Sequence, residues 1–149
     1  MPRPHQKLVG ALLALFALLL AGCEATRYYS GPAEKNLQVQ ASVSGTRAAM
    51  GVHRLEGCTL QYEGVVDLDR PVVEVGLPPG RPSVLVFEFY SSGLLSGNTS
   101  IKKEAMLQPR SGYRYEARVT YKDALYDVSL REIDPRSGAA REIDIRRRC

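Results

Sequence analysis

The chain of 149 residues has no tryptophan, three phenylalanines, three cysteines and two histidines. One histidine, His5, falls in the first 22 residues, so the rest of the chain carries His53 alone. A lone imidazole makes neither a triad nor a zinc site by itself, and cysteines without a CxxC pair do not form a metal cluster. No catalytic residue, metal or cofactor is therefore expected. Charge of one sign is also scarce. Twenty basic side chains face sixteen acidic ones, a net of +4, and setting aside Arg3 and Lys7 lowers it to +2. That balance argues against a general nucleic-acid binder. Beyond residue 22 no stretch of ten residues keeps a helical period, and only Gly45 to Met50 leaves room for a short helical turn.

What the sequence does have begins with one dense apolar run, Leu8 to Leu20, behind a basic stub. As a helix it would measure about 20 Å, too short for a hydrocarbon core of about 30 Å. Positive start, short apolar run and small residues together form the pattern of a secretory signal peptide. The run ends in Leu20-Ala21-Gly22-Cys23, which resembles the lipobox of bacterial lipoproteins. That resemblance implies cleavage after Gly22, diacylation of the Cys23 thiol and acylation of the new amino group by palmitate-type chains. One chain binds a membrane reversibly, whereas several hold a protein there. Glu24, not Asp, follows the modified cysteine, and the sorting pattern then implies the outer membrane, facing the periplasm. Residues 1–22 are thus expected to be signal peptide, 23–36 a lipid-anchored flexible tether, and 37–149 a single domain. Tyr28 and Tyr29 in the tether are placed either at headgroup level or in solvent.

Export to an oxidising compartment leaves Cys58 and Cys149 as a potential disulfide. Such a bridge would close a loop of about 90 residues, worth roughly 4 to 5 kcal/mol in the chain-entropy picture. Two independent thiols, or an intermolecular bridge through Cys149, are the other possibilities. Cys58 itself reads as a strand residue.

From Leu37 onward the period is two, the mark of half-buried strands. Leu37, Val39, Ala41 and Val43 alternate with polar residues. So do Tyr113, Tyr115, Ala117, Val119 and Tyr121, then Tyr126, Val128 and Leu130, and finally Arg141, Ile143 and Ile145. Val84 to Tyr90 is apolar on both faces apart from Glu88 and is expected to be a central strand. Turn signals separate the runs, and Asp134-Pro135-Arg136-Ser137-Gly138 is expected to close a hairpin over residues 124–146. The expected fold is an all-β antiparallel sandwich of seven or eight strands.

Leu77-Pro78-Pro79-Gly80 leading into Val84 to Phe89, then Gly112-Tyr113-Arg114-Tyr115, resembles PEGA-like and transthyretin-like sandwich modules of bacterial envelope proteins. The likeness implies an architecture and a habit of non-catalytic interaction. It carries over no ligand. The expected role is a membrane-anchored envelope lipoprotein acting as a binding or assembly module for an envelope protein or glycan. The alternative is a small-ligand or glycan binder that uses Tyr62 or Tyr90.

Other candidates stand beside their plainer readings. His53 is expected on an exposed face, and a hydrolase would need it near Asp67 or Asp69. Those two aspartates share a face, yet such a pair more often flanks a turn, here before Arg70-Pro71. Gly93-Leu94-Leu95 is either a partner-contacting loop tip or a cap on the core. Asn98-Thr99-Ser100 matches a glycosylation acceptor by accident. Arg146, Arg147 and Arg148 could meet an anionic surface, each arginine worth about 1 kcal/mol there, or be a solvated strand end. Arg114, Arg118 and Lys122, with Glu116 between, read as a solubilising stripe.

Overall fold

The computed structural model describes residues 25–93, 97–123 and 125–146, which contain no helix. Nine strands run along them: β1 (Leu37–Val43), β2 (Arg47–Glu56), β3 (Thr59–Asp67), β4 (Val72–Val75), β5 (Ser83–Gly93), β6 (Gly97–Leu107), β7 (Arg114–Lys122), β8 (Leu125–Ile133) and β9 (Ala140–Glu142). They form a five-stranded sheet of order β4-β1-β7-β8-β9 and a four-stranded sheet of order β3-β2-β5-β6. The period-two residues decide this arrangement. Tyr115, Ala117 and Val119 of β7 are buried with Leu37 and Val39 of β1 and Val128 and Leu130 of β8. They meet Met50, Val52, Leu85, Phe87 and Phe89 of the other sheet in one core. Each polar residue between them is thereby turned outward.

Several expectations change. The described residues hold nine strands, close to the seven or eight expected, in an all-β sandwich, but β1 pairs with β7 in parallel, Leu37 opposite Tyr115 through Val43 opposite Tyr121. A parallel pair needs a long crossover, and here all of β2 to β6 intervenes. The Gly45 to Met50 stretch is no helical turn: β2 starts at Arg47, and Met50 is a fully buried core residue. Cys58 is not in a strand either. It is exposed in the two-residue turn between β2 and β3, after Gly57 at φ 58°, a value that a glycine-first hairpin turn requires. The final run is shorter than expected, with β9 limited to three residues. The β8–β9 hairpin itself forms, its turn closed by Asp134 Oδ1 accepting from the N–H groups of Arg136 and Ser137 at 2.7 and 3.1 Å.

The segment ahead of β1 is tied to the body from Arg27 onward. Tyr29 N–H donates to Val65 O and Val65 N–H to Arg27 O, both at 2.9 Å, so this segment adds a short parallel rung beside β3. Backbone approaches this close exclude side chains. A Cβ on Gly64 would stand 2.6 Å from Tyr29 Cα, and one on Gly76 would stand 2.2 Å from Pro32 O. The Tyr29 hydroxyl donates to Gly76 O at 3.0 Å, and the Asn36 side chain pairs with both backbone groups of Leu77 at 2.8 Å. Of the expected tether, residues 27–36 are fixed in this way.

Candidate functional site

The two outer faces differ in kind. On the five-stranded sheet, Gln38 and Gln40 of β1, then Arg114, Glu116 and Arg118 of β7, cover the surface with polar groups, as the alternation of β7 predicts. The four-stranded sheet instead places Ala49 and Gly51 of β2 beside Val86 and Val84 of β5. Antiparallel register sets Ala49 opposite Glu88, Gly51 opposite Val86 and His53 opposite Val84. Val84 is fully buried and Ala49 nearly so, which leaves Gly51 and Val86 as a narrow, partly exposed floor of small and apolar residues. Tyr62 stands at one end of it, opposite His53, and Tyr90 at the other, opposite Arg47.

Local sequence produces this floor and its walls. Glu63 and Gly64 oppose a single step of β2, where the register shifts between Val52 and His53. Such a bulge re-aims the residues beside it, and it brings Tyr62 against His53. Their ring centroids are 5.3 Å apart at 58°, within the range of tilted aromatic pairs. Gly51 lets the imidazole fold back, since a Cβ there would be 3.2 Å from His53 Nε2. His53 is therefore half-buried rather than exposed, although on the outer face as expected. Its Nδ1 is enclosed, with no hydrogen-bond partner among the described residues. Burial holds its pKa below the ordinary histidine value, against the pull of Glu104 and Glu63.

At the other end Glu88 gathers polar groups from two strands. Burial pushes its pKa up, but hydrogen bonds from Tyr90, Ser100 and Lys102 outweigh that and leave it below the ordinary carboxylate value. The Lys102 ammonium lies 3.3 Å from the carboxylate. Tyr90 is pushed up to about 12, first by burial and then by its hydrogen bond to Glu88. A tyrosine so placed stays protonated and remains a hydrogen-bond donor at neutral pH. The face thus offers two tyrosine rings, 47% and 44% exposed, around a narrow apolar floor with a fixed carboxylate. It can hold a ring or a peptide edge by stacking and hydrogen bonds.

The hydrolytic arrangement is not assembled. Asp67 lies opposite Ala49 and Tyr62 opposite His53, so Asp67 is four residues from His53 along the strands, about 13 Å at 3.3 Å per residue. Asp69 is farther on and pairs with exposed Arg70 at 3.6 Å. Arg146 is bound by Asp144, Nε to Oδ1 at 3.1 Å. Cys23, Leu94, Leu95, Arg147, Arg148 and Cys149 lie outside the described residues, and with them the Cys58 to Cys149 bridge. Asn98-Thr99-Ser100 is part of β6.

Sequence reading missed a second polar cluster, at the opposite end of the other sheet. Glu132 is only 7% exposed, yet it accepts from Arg110 Nε and Tyr115 OH at 3.0 Å and from Arg141 at 3.1 Å. A second Arg110 nitrogen completes a two-pronged grip. Arg110 also stacks 3.6 Å above the Tyr113 ring. A signal was present: Glu132 continues the inward series Val128, Leu130, so an acid was due on the core face.

A scan of protein families returns no match, and neither does a comparison with curated proteins. Among solved structures, the chain shows a weak similarity to the crystal structure of transthyretin from Sparus aurata. The TM-score is 0.46 at 11% identity, over 68% of this chain and 100% of that one.

Proposed function

We propose that the chain is a membrane-anchored envelope lipoprotein, acylated on Cys23, whose sandwich serves as a non-catalytic binding or assembly module on the periplasmic side of the outer membrane. The anchor rests on the Leu8 to Leu20 run and the Leu20-Ala21-Gly22-Cys23 motif. The binding role rests on one observation: Tyr62, His53 and Tyr90 stand around Ala49, Gly51 and Val86 on one outer face, while the opposite face is polar. Exposed tyrosines beside small residues supply contact area at little cost in side-chain entropy, which is why tyrosine is enriched in interface cores.

A photoreactive residue at Tyr62 tests the role in intact cells, with one at Gln40 on the polar face as control. A discrete crosslinked envelope protein from position 62 and not from 40 supports the proposal. Equal yields from both positions, or none, count against it. Mass spectrometry of the amino-terminal peptide tests the anchor separately.

The tilted pair of Tyr62 and His53 also favours a second reading, a small ligand or glycan held against the rings. With no tryptophan and eight tyrosines, tyrosine fluorescence would report such a ligand directly. Saturable quenching by soluble cell-wall glycan fragments, lost in Tyr62→Ala, would favour it over a protein partner.

A further inference from the structure

The docked amino-terminal segment encloses a cleft that the aromatic face does not use. Its volume is about 320 Å³, and Arg27, Tyr28, Tyr29, Glu63, Pro78 and Arg81 line it. The segment is held at its mouth by Tyr62 OH on Arg27 O and by the backbone rung to Val65. Two arginines and one glutamate therefore line one space beside Tyr28, whose side chain is 64% exposed.

The charges in the cleft are arranged loosely. Glu63 lies 3.7 Å from Arg81 and 3.8 Å from Arg54, well beyond the roughly 2.7 to 2.9 Å of a charge-assisted hydrogen bond. Its lone pairs and the donors of Arg81 keep room for a further partner. Arg27 adds a second fork of donors, and such forks match phosphate oxygens.

We propose that this cleft takes the headgroup of a phospholipid bearing both a phosphodiester and a primary ammonium, the phosphate on Arg27 and Arg81 and the ammonium on Glu63. The proposal rests on the lipid-anchored reading for its geometry. Cys23 precedes Arg27 by four residues, a span of at most about 14 Å, so acyl chains on Cys23 would hold the cleft at the level of the headgroups. Tyr28 then meets the interface where amphipathic rings are favoured, and can face the ammonium with its ring. A site too weak to fill from dilute solution would be filled there, because a short link raises the local concentration to the millimolar range or above.

The full chain, extracted in a nonionic detergent, is titrated with three water-soluble probes: glycerophosphoethanolamine, glycerophosphoglycerol and inorganic phosphate. Amide shifts of residues 27–31 and 63–65 give the readout. The expected result is saturable binding of the ethanolamine probe, about fivefold weaker in Arg27→Ala and in Arg81→Ala at about 1 kcal/mol per arginine. Glu63→Gln should erase its preference over the glycerol probe. No binding by any probe, equal binding by all three, or binding untouched by both arginine variants would each overturn the proposal. Arg81→Lys keeps the charge and guards against misfolding: retained amide protection at Val65 with weakened binding assigns the loss to the fork. Because the probes lack acyl chains, failure here is separate from failure of the anchor, which the mass of the Cys23 peptide decides.

Discussion

Tyr115 and Glu132 face each other across the β7–β8 pair, and the tyrosine hydroxyl donates to Glu132 Oε2 at 3.0 Å while accepting the backbone N–H of Arg110 at 2.9 Å. One buried hydroxyl thus ties a carboxylate, a strand and the loop before it. Tyr115→Phe keeps the ring and removes both bonds, leaving the Arg110 backbone N–H short of its acceptor, while Glu132 Oε2 keeps the bond from Arg110 Nε. A buried group left unsatisfied costs about 1 to 3 kcal/mol. Urea unfolding of Tyr115→Phe should therefore show a loss in that range with an unchanged m-value. A loss below about 0.5 kcal/mol would mean that water replaces the hydroxyl.

Where side-chain alternation decided a face, the sequence was readable. β1 spans the expected Leu37 to Val43, β7 runs within the expected Tyr113 to Lys122, and β5 is interior to its sheet with Leu85, Phe87 and Phe89 buried. What could not be read depends on pairing between distant strands. The parallel join of β1 to β7 leaves no local mark, nor does the docking of Tyr29 on β3, which needs Gly31, Gly64 and Gly76 to converge from three segments. For the same reason Tyr62 and Tyr90 were visible as candidates, while the Gly51 floor between them and the Glu88 hub required the register. His53 was placed on the correct face, but its burial follows from a glycine two residues away whose role appears only in the fold.

Glu132 should make stability depend on pH in the acid range. Burial raises its pKa, and the bonds from Arg110, Tyr115 and Arg141 more than offset this, so the folded value lies below the ordinary 4.5. A carboxyl depressed in the folded state adds stability above its unfolded pKa, and that gain disappears as pH falls through the folded pKa. Unfolding free energy should drop below about pH 4.5, and Glu132→Gln should flatten part of that drop while lowering stability at pH 7. An unchanged acid limb in the variant would show that other carboxylates carry it.

Gly64 offers a test of how firmly residues 27–32 are held. Its φ is 151°, and an added Cβ would press within 2.6 Å of Tyr29 N and Cα. Gly64→Ala forces the rung apart or distorts the bulge, and overpacking of this kind costs about 1 to 3 kcal/mol. Hydrogen exchange separates the two outcomes. Release of the segment should speed exchange at the Tyr29 and Val65 amides and leave Phe87, in the interior strand, near its original rate. Uniform acceleration would place the strain in the sheet instead.

His53 provides the last and most local check on the aromatic face. Burial keeps its pKa below 6.5 in the folded chain, so the unfolded chain binds the proton first and stability falls as pH drops from about 6.5 through the folded value. The His53 ring resonances should titrate with a midpoint below 6.5 and move upward in Tyr62→Ala, which opens one side of the imidazole to water. Gly51→Ala has the opposite geometry, because the new methyl meets Nε2 at 3.2 Å and displaces the ring from its place over the floor. If the ring moves, the midpoint rises and partner or ligand contact at Tyr62 weakens together with it. A midpoint at or above 6.5 in the unaltered protein would mean that the imidazole is solvated, and the floor between Tyr62 and Tyr90 would then be open to water rather than walled by His53.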